Sequence, residues 1–248
     1  MPVCPMRKEP AHRSEMVSQL LFGETAEVLE TARDFVRLRA FPDGYEGWCQ
    51  RTQLTAIEAP GSTGHARLAA EWVNTLHFNG QEMHIPLGST INLPEEGTGM
   101  VGPFSCSYQG KRQDPSATQF NTTALVAFAA KYLNVPYLWG GRSIFGIDCS
   151  GFAQQVFRFF DVALPRDSYQ QAEEGEMVGF LQEAREADLA FFDNAEGRIV
   201  HVGILLGPDR IIHASGRVRI DPIDNMGIIS SDTGERTHTL RTIRRVGK

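Results

Sequence analysis

With 248 residues the chain is long enough for two or three domains, and 42% hydrophobic with 22% charged residues allows it to bury a sizeable core. Its net charge of −6 argues against nucleic acid and against an anionic membrane as the partner. No apolar run approaches the roughly 18 residues that a membrane helix needs. The first twenty residues are interrupted by charged side chains and lack the apolar stretch of a signal peptide, so we expect a cytoplasmic protein.

The four cysteines are spread singly along the chain, without a C-x-x-C pair. This spacing is typical neither of a zinc site nor of a disulfide-rich domain. In the cytoplasm the thiols are expected to be reduced. The sequence therefore predicts no metal and no cofactor. A single cysteine is by default a small buried hydrophobe, and we assign that role to Cys4, Cys49 and Cys106.

The front half has the pattern of short strands joined by tight turns. Between residues 16 and 54 the segments MVSQLLF, AEVLETA and FVRLRAF are separated by turn residues, and in FVRLRAF apolar and arginine residues alternate with period two. We predict a small β-barrel in residues 1–56 and a second, less regular β domain in residues 57–110. Within the second domain, HARLAAEWVNTLHF fits neither a helix nor a strand cleanly, and its structure stays open.

The back half reads as a third domain, residues 111–248, behind a polar linker at 109–121 that contains Pro115. A helix capped by Asn121 or Thr122 is predicted to run to Leu133. A second helix is predicted to begin near Cys149. Four predicted strands follow, DLAFFDN, IVHVGILLG, RIIHASG and VRIDPI. Helices followed by strands in this order indicate an α+β domain.

Cys149 lies between a glycine-rich loop and an apolar helix. Phe152 and Val156 follow it at helical spacing, which places the cysteine in the first turn of a buried helix. The positive end of the helix dipole is expected to lower the thiol pKa there, and Asp148 is expected to cap the helix or to bind a cation. A cysteine at a helix start is more often inert packing. The glycines on both sides of D-C-S-G, together with a partner histidine, favour a nucleophile instead.

Two histidines occupy consecutive apolar strands, His201 in IVHVGILLG and His213 in RIIHASG. A lone strand histidine is usually a satisfied core residue. With a three-residue turn, however, antiparallel pairs sum to about 416, so that His201 lies opposite Ser215 and diagonal to His213 on the same face. A two-residue turn would put the histidines on opposite faces. The spacing is consistent with a Cys-His-His relay in which His201 is the base and His213 orients it.

Five blocks occur in a fixed order, PYLWGG, GIDCSG, LPRDS, HVGI and IIHAS, and with them residues 120–245 resemble the NlpC-type cell-wall cysteine peptidases. LLFGETAEVLE and DGYEGW resemble the bacterial SH3-like domains that precede some of these enzymes. The resemblance implies a papain-like catalytic domain, in which the helix that bears the cysteine packs on an antiparallel sheet that bears the histidines. It also implies one or two small SH3-like β-barrels in front.

The subgroup that the chain is most similar to cleaves the γ-D-glutamyl–L-diamino acid bond of free murein peptides. Such enzymes release L-Ala-γ-D-Glu from peptides with an N-terminal L-alanine, and the diamino acid is diaminopimelate or lysine. The resemblance implies that Cys149 is the nucleophile, His201 the general base and His213 the third polar residue, with the backbone N–H of Cys149 donating to the oxyanion. It further implies that the following side chains contact the substrate: Asp148, Ser150, Trp139, Asp167, Ser168, Tyr45 and Glu15.

Other functions stay open at this point. The alternatives are a wall-remodelling endopeptidase on intact peptidoglycan, an acyltransferase or amidase on the same fold, and a non-catalytic wall-binding protein. The expected substrate contacts also have ordinary structural roles: Trp139 in a core, Asp167 and Ser168 at the start of a helix near Tyr169, and Glu15 at a solvated strand end. A cytoplasmic enzyme would meet free peptides, which favours recycling of murein peptides.

Overall fold

The computed structural model describes residues 1–57 and 67–247. The first two residues of the segment HARLAAEWVNTLHF, His65 and Ala66, lie outside the described residues. The chain divides into two compact units. Unit 1 comprises residues 1–118 and 139–145, and unit 2 comprises 119–138 and the chain from residue 146 onward. Across the described residues, no helix has both the length and the apolar character that a membrane span requires.

The front of unit 1 is a five-stranded antiparallel sheet. The alternation in FVRLRAF is confirmed, since Val36 and Leu38 are buried while Arg37 and Arg39 are exposed. The strand Val3–Arg7, which precedes the predicted segment MVSQLLF, was not predicted. In the spatial order β2-β1-β5-β4-β3, the strands are β1 Val3–Arg7, β2 Met16–Leu21, β3 Ala26–Ala32, β4 Phe35–Ala40 and β5 Glu46–Gln50.

Residues 67–113 form seven further short strands in two sheets. The described part of HARLAAEWVNTLHF consists of two strands, which resolves the helix-or-strand question. The predicted linker contains the last of these strands. The boundaries predicted for two separate β domains stay a prediction. The strands are β6 Arg67–Ala69, β7 Val73–Phe78, β8 Gln81–Pro86, β9 Thr90–Ile91, β10 Thr98–Val101, β11 Phe104–Tyr108 and β12 Arg112–Gln113.

The loop 139–145 belongs to unit 1 and contains the short strand β13, Arg142–Ser143. The buried guanidinium of Arg142 lies 2.9 Å from the carboxylate of Glu24 and donates to the backbone carbonyl of Gln19 at 2.6 Å. Gly140 has a φ of 74°, and a Cβ at this position would lie 2.4 Å from the carbonyl oxygen of Met16. Only glycine allows that approach, so Gly140 permits the close contact between the glycine-rich loop and the backbone of Met16.

The described part of unit 2 contains three α-helices, α1 Thr122–Ala130, α2 Cys149–Arg158 and α3 Ser168–Gln171, and a short 3-10 helix, Leu181–Glu183. Asn121 caps α1 as predicted, because its side chain accepts a hydrogen bond from the backbone N–H of Ala124. The predicted end of α1 at Leu133 is wrong. The chain tightens into turns after Ala130, and Asn134 with a φ of 70° lies in the left-handed region, where a helix cannot continue.

Besides the short strand β14 Gly146–Ile147, unit 2 contains a seven-stranded antiparallel sheet made of β15 Glu176–Val178, β16 Leu189–Asp193, β17 Ile199–Leu205, β18 Arg210–Ser215, β19 Arg217–Asp224, β20 Gly227–Ile229 and β21 Arg236–Arg245. Their spatial order is β15-β21-β16-β17-β18-β19-β20. Because β20 also pairs with β21, strands β16 to β21 close into a ring. Helix α2 packs on β17 and β18, as expected for an α+β domain of this kind. The four predicted strands are β16 to β19; the others were not predicted.

Candidate active site

Cys149 is the first residue of α2, as the sequence predicts. Phe152 and Val156 follow it on the buried side of the helix. Asp148 caps the helix, and its carboxylate accepts a hydrogen bond from the backbone N–H of Gly151 at 2.7 Å. All four cysteines of the chain lie within the described residues and are buried free thiols.

The thiol of Cys149 is more strongly protonated than its helix position suggests. Burial, and after it the nearby carboxylate of Asp148, raise its pKa to about 12. The backbone N–H groups of Val202 and Ser150 and the guanidinium of Arg166 act in the opposite direction. The expectation that the helix dipole lowers the thiol pKa is therefore wrong, because desolvation of the thiolate outweighs the dipole. In the resting protein the sulfur carries its proton and needs a base.

His201 and His213 meet as the strand register predicts. Strands β17 and β18 pair Gly203 with His213 and Leu205 with Ile211, so the paired residue numbers sum to 416. Nε2 of His201 lies 2.8 Å from Nδ1 of His213. Burial and the neighbouring histidine lower the pKa of His201 well below its usual value. The ring of His201 is therefore neutral near pH 7 and can accept a proton.

A carboxylate extends the pair. Nε2 of His213 lies 2.9 Å from Oδ2 of Asp221 on β19. Asp221 also accepts hydrogen bonds from the backbone N–H of Ser231 and from Arg219, both at 2.9 Å. Burial alone would raise the pKa of Asp221, but the hydrogen bonds from His213, Ser231 and Arg219 lower it below its usual value. An ionised carboxylate only accepts hydrogen bonds, so the proton in this contact lies on Nε2 of His213.

The proton positions follow from that carboxylate. With its proton on Nε2, His213 is left with Nδ1 as an acceptor, which assigns the 2.8 Å contact as a hydrogen bond donated by Nε2–H of His201. Nδ1 of His201 then remains unprotonated and is the nitrogen that can take a proton from a thiol. The backbone N–H of Val202, the next residue along β17, interacts with the sulfur of Cys149. The arrangement suits general-base activation of a cysteine nucleophile.

A third imidazole, that of His238 on β21, stacks on His201 with ring centroids 4.1 Å apart and planes 27° apart. The ligand nitrogens of His201, His213 and His238 lie within 4.8 Å of one another. Zinc would require lone pairs that converge on one point about 2.0–2.1 Å from each nitrogen. The lone pairs of stacked rings run side by side, and both nitrogens of His213 already have hydrogen-bond partners. The cluster therefore suits a hydrogen-bonded relay better than a metal.

Asp148 does both things that the sequence allows for it, since it caps α2 and binds a cation. The buried guanidinium of Arg166 donates to both oxygens of Asp148, at 3.0 and 2.6 Å, and to the hydroxyl of Ser150 at 2.9 Å. Asp167 is the N-cap residue of α3, and Ser168 is the first residue of that helix. Gln171 ties α3 to α2 through a hydrogen bond to the carbonyl of Ser150. Of the predicted side chains, Asp148 and Ser150 thus share one polar network with Arg166 at the start of α2, whereas Asp167 and Ser168 begin the neighbouring helix α3.

A cavity of about 300 Å³ opens beside the base. Burial raises the pKa of Tyr137, one of its lining residues, and the neighbouring Cys149 and Asp148 raise it further. The tyrosine is therefore neutral and can donate a hydrogen bond in the cavity. The lining residues, all in unit 2, are Tyr137, Val200, His201, Ala214, Ser215, Gly216 and His238.

The three remaining predicted site residues belong to unit 1. Nε1 of Trp139 donates to Oε1 of Glu15 at 2.9 Å, and 60% of Trp139 is exposed, so it is not a core residue. Tyr45 precedes β5 and packs partly against the core of the front sheet. The prediction that these side chains line the same cleft as Cys149 stays a prediction.

Sequence reasoning missed Arg166, Asp221, Tyr137 and His238. Arg166 and Tyr137 stand in the blocks LPRDS and PYLWGG, so their positions were visible but not their role. Asp221 could have been found by applying the register rule once more. Strands β18 and β19 pair Ile211 with Asp221, which puts Asp221 diagonal to His213 on the same face. No sequence pattern indicated His238, because it comes close to His201 only through the pairing of β20 with β21, which closes the sheet.

Comparisons with known proteins agree with this geometry. Residues 134–237 match the NlpC/P60 family, and residues 6–54 match the bacterial dipeptidyl-peptidase SH3 domain. A γ-D-glutamyl-L-lysine dipeptidyl-peptidase of Bacillus subtilis is 32% identical over 79% of this chain and 71% of that protein. The enzyme of the same name from Bacillus cereus is 26% identical over 91% of this chain and 76% of its own length.

The fold is also that of a solved structure. An NlpC/P60 family protein from Bacillus cereus superposes with a TM-score of 0.79 at 23% identity, over 93% of this chain and 82% of the other. The predicted architecture, an SH3-like domain in front of a papain-like domain, is confirmed. The agreement of fold, matched domains and site geometry points to a peptidase.

Proposed function

We propose that this chain, which belongs to the NlpC/P60 family of cysteine peptidases, hydrolyses the γ-D-glutamyl–L-diamino acid bond of free murein peptides that begin with L-alanine. The products are L-Ala-γ-D-Glu and the remainder of the peptide. One observation carries the proposal: the hydrogen bonds that run from His201 through His213 to Asp221, on the sheet against which the helix of Cys149 packs. The printed names of the Bacillus relatives support the choice of bond.

In the proposed reaction, Nδ1 of His201 takes the thiol proton while the sulfur of Cys149 attacks the carbonyl carbon. The carbon–sulfur bond forms, and the carbonyl oxygen becomes an oxyanion that the backbone N–H of Cys149 stabilises. The intermediate then collapses, the carbon–nitrogen bond breaks, and the imidazolium of His201 protonates the leaving amine. Water, deprotonated by His201, hydrolyses the thioester and restores the thiol. His213 and Asp221 hold the base in the required tautomer throughout.

The N-terminal ammonium of the substrate needs anionic or polar partners, since an ammonium taken out of water without them costs several kcal/mol. In the proposal these partners are Asp148, Glu15 and Tyr45. Glu15 has capacity for this role, because Trp139 bonds only one of its oxygens and the contact with Lys8 is a loose 3.7 Å. The remaining proposed substrate contacts are Trp139, Ser150, Asp167 and Ser168.

The proposal places the enzyme in the cytoplasm, where it recycles free murein peptides. The four free thiols fit a reducing compartment. Fractionation of the native cells checks the location, and recovery of the enzyme outside the cytoplasm would contradict it.

The deciding experiment compares L-Ala-γ-D-Glu-diaminopimelate and the corresponding lysine peptide with their N-acetylated forms, with products identified by mass. We expect release of L-Ala-γ-D-Glu from the free peptides and no cleavage of the acetylated ones, because acetylation removes the charge and adds bulk. Cys149→Ala is the control for contaminating peptidases. Equal cleavage of both forms, or solubilisation of intact sacculi, would indicate a wall hydrolase instead. Transfer to an added amine in preference to water would indicate an acyltransferase.

A further inference from the structure

His238 is a half-buried residue on β21 whose ring makes three aromatic contacts around the proposed base. It stacks on His201 at 4.1 Å and meets His213 edge-on, with ring centroids 5.6 Å apart and planes 87° apart. It also meets Phe192, the cross-strand neighbour of His201, at 5.9 Å and 66°. The ring of His238 therefore covers one face of His201.

The backbone around His238 is fixed closely enough to hold that ring in place. Strands β20 and β21 pair Ile228 with His238. Gly227 has a φ of 135°, and a Cβ there would lie 1.8 Å from the carbonyl oxygen of His238, so only glycine permits this approach of the two strands. The hydroxyl of Thr237 lies 2.8 Å from Nδ1 of His238. Both the main chain and the imidazole of His238 are thus constrained.

The covered face matters because His201 has two directional tasks. Its Nε2 must point at His213 while its Nδ1 serves the thiol, and the torsion that turns an imidazole about its Cβ–Cγ bond has a broad, soft minimum. A ring stacked on one face opposes that rotation. During turnover His201 becomes a cation, and the face of a neutral aromatic ring stabilises a cation placed over it. Burial lowers the pKa of His238 to about 4, so this ring is neutral near pH 7.

We propose that His238 is a positioning residue for the base: its ring face, not its nitrogens, holds His201 in the plane in which both nitrogens work. The inference rests on the proposed cysteine peptidase chemistry. His238 has no part in proton transfer. Its Nδ1 is hydrogen-bonded to the hydroxyl of Thr237, and in the stacked arrangement its ring nitrogens do not point at the nitrogens of His201.

The test compares three substitutions at one position. His238→Ala and His238→Asn remove the ring face, and His238→Phe keeps it without ring nitrogens. We expect kcat of the alanine and asparagine variants to fall about tenfold to a hundredfold, as for a base misplaced by about 1 Å, with KM changed by less than about twofold. The phenylalanine variant should recover most of kcat. Thr239→Ala, an exposed neighbour on the same strand, is the matched control.

A second readout separates this inference from the proposed function. Alkylation of Cys149 by iodoacetamide at pH 7 needs His201 to take the thiol proton but needs no peptide, so it reports on the base even if the substrate proposal fails. The alkylation rates should follow the same order, with wild type and His238→Phe above the other two. If the alanine variant does not fold, the comparison of the asparagine variant with the phenylalanine variant tests the inference by itself. A phenylalanine variant as slow as the asparagine variant, or an alanine variant as fast as wild type, would overturn the inference.

Discussion

The carboxylate of Asp221 lies 2.9 Å from Nε2 of His213, while the other ring nitrogen of His213, Nδ1, contacts His201. Because the carboxylate can only accept, it determines which nitrogen of His213 is protonated, and through His213 which nitrogen of His201 is free to act as base. Asp221 thus sets the tautomer of the base His201 through one intervening side chain, that of His213.

Asp221→Asn should be more damaging than Asp221→Ala. The backbone N–H of Ser231 and Nη2 of Arg219 both donate to Oδ1 of Asp221, so the oxygen of an asparagine would occupy that position. Its NH₂ group would then face Nε2 of His213 and also Nε of Arg219, which lies 2.8 Å from Oδ2. His213 would then have to accept at Nε2 and carry its proton on Nδ1, against His201. We expect kcat to fall about 10²- to 10⁴-fold for asparagine. Steady-state kinetics of both variants check this, and an asparagine variant more active than the alanine variant would contradict the assigned tautomers.

Replacing the nucleophile or the base should abolish turnover without unfolding the protein. Cys149→Ala and His201→Ala each remove one member of a unit that acts together, so each should lower kcat about 10⁴- to 10⁶-fold, and the double variant should be no worse than the single ones. His213→Ala should cost less, because His213 orients the base and transfers no proton to the substrate. Circular dichroism controls for folding. Wild-type activity in Cys149→Ala would refute the mechanism.

Arg166→Met should destabilise unit 2, because it leaves the carboxylate of Asp148 buried without its cation. The side chain of Arg166 is 1% exposed and that of Asp148 9%. Removing one partner of such a pair costs about 3–5 kcal/mol, which urea unfolding can measure. Arg166→Lys keeps the charge but loses the two-pronged contact and should lie in between. The double variant Arg166→Met/Asp148→Asn should be more stable than Arg166→Met alone; if it is less stable, the ion pair is not the cause.

Stability should fall as the pH drops from about 6.5 towards 4. His201 and His238 have pKa values below the usual 6.5 in the folded protein, well below it for His201 and about 4 for His238. On unfolding, both rings regain a pKa near 6.5 and bind protons, so acid favours the unfolded state. The folded protein therefore keeps its full stability above pH 6.5, where both imidazoles are neutral in either state. Its free energy of unfolding decreases progressively as the pH falls below 6.5.

Melting temperatures measured between pH 7.5 and 4.5 check this dependence, and His238→Phe should make the slope shallower. The depressed pKa of Asp221 acts in a lower range, because an unfolded aspartate titrates only near 3.8. A melting temperature that stays constant between pH 6.5 and 4.5 would contradict the burial of neutral imidazoles.

The part of the site that the sequence determined is the part that local geometry fixes. The turn between β17 and β18 sets their register, and the period of two along a strand then places His201 and His213 on one face. The helix start at Cys149 and its cap at Asp148 follow from neighbouring residues in the same way. The same hairpin rule, applied to β18 and β19, also reaches Asp221.

Only the tertiary structure decided the rest. His238 reaches His201 because β20 and β21 close the sheet into a ring, a pairing that no turn length or periodicity encodes. Arg166 meets Asp148 across a loop, where the chain path depends on the packing of α3 against α2. The thiol pKa shows the same division: the helix position favours a thiolate, but the depth of burial, which packing sets, raises the pKa of Cys149 to about 12. Local rules fix which residues share a face, whereas burial and long-range strand pairing fix what surrounds them.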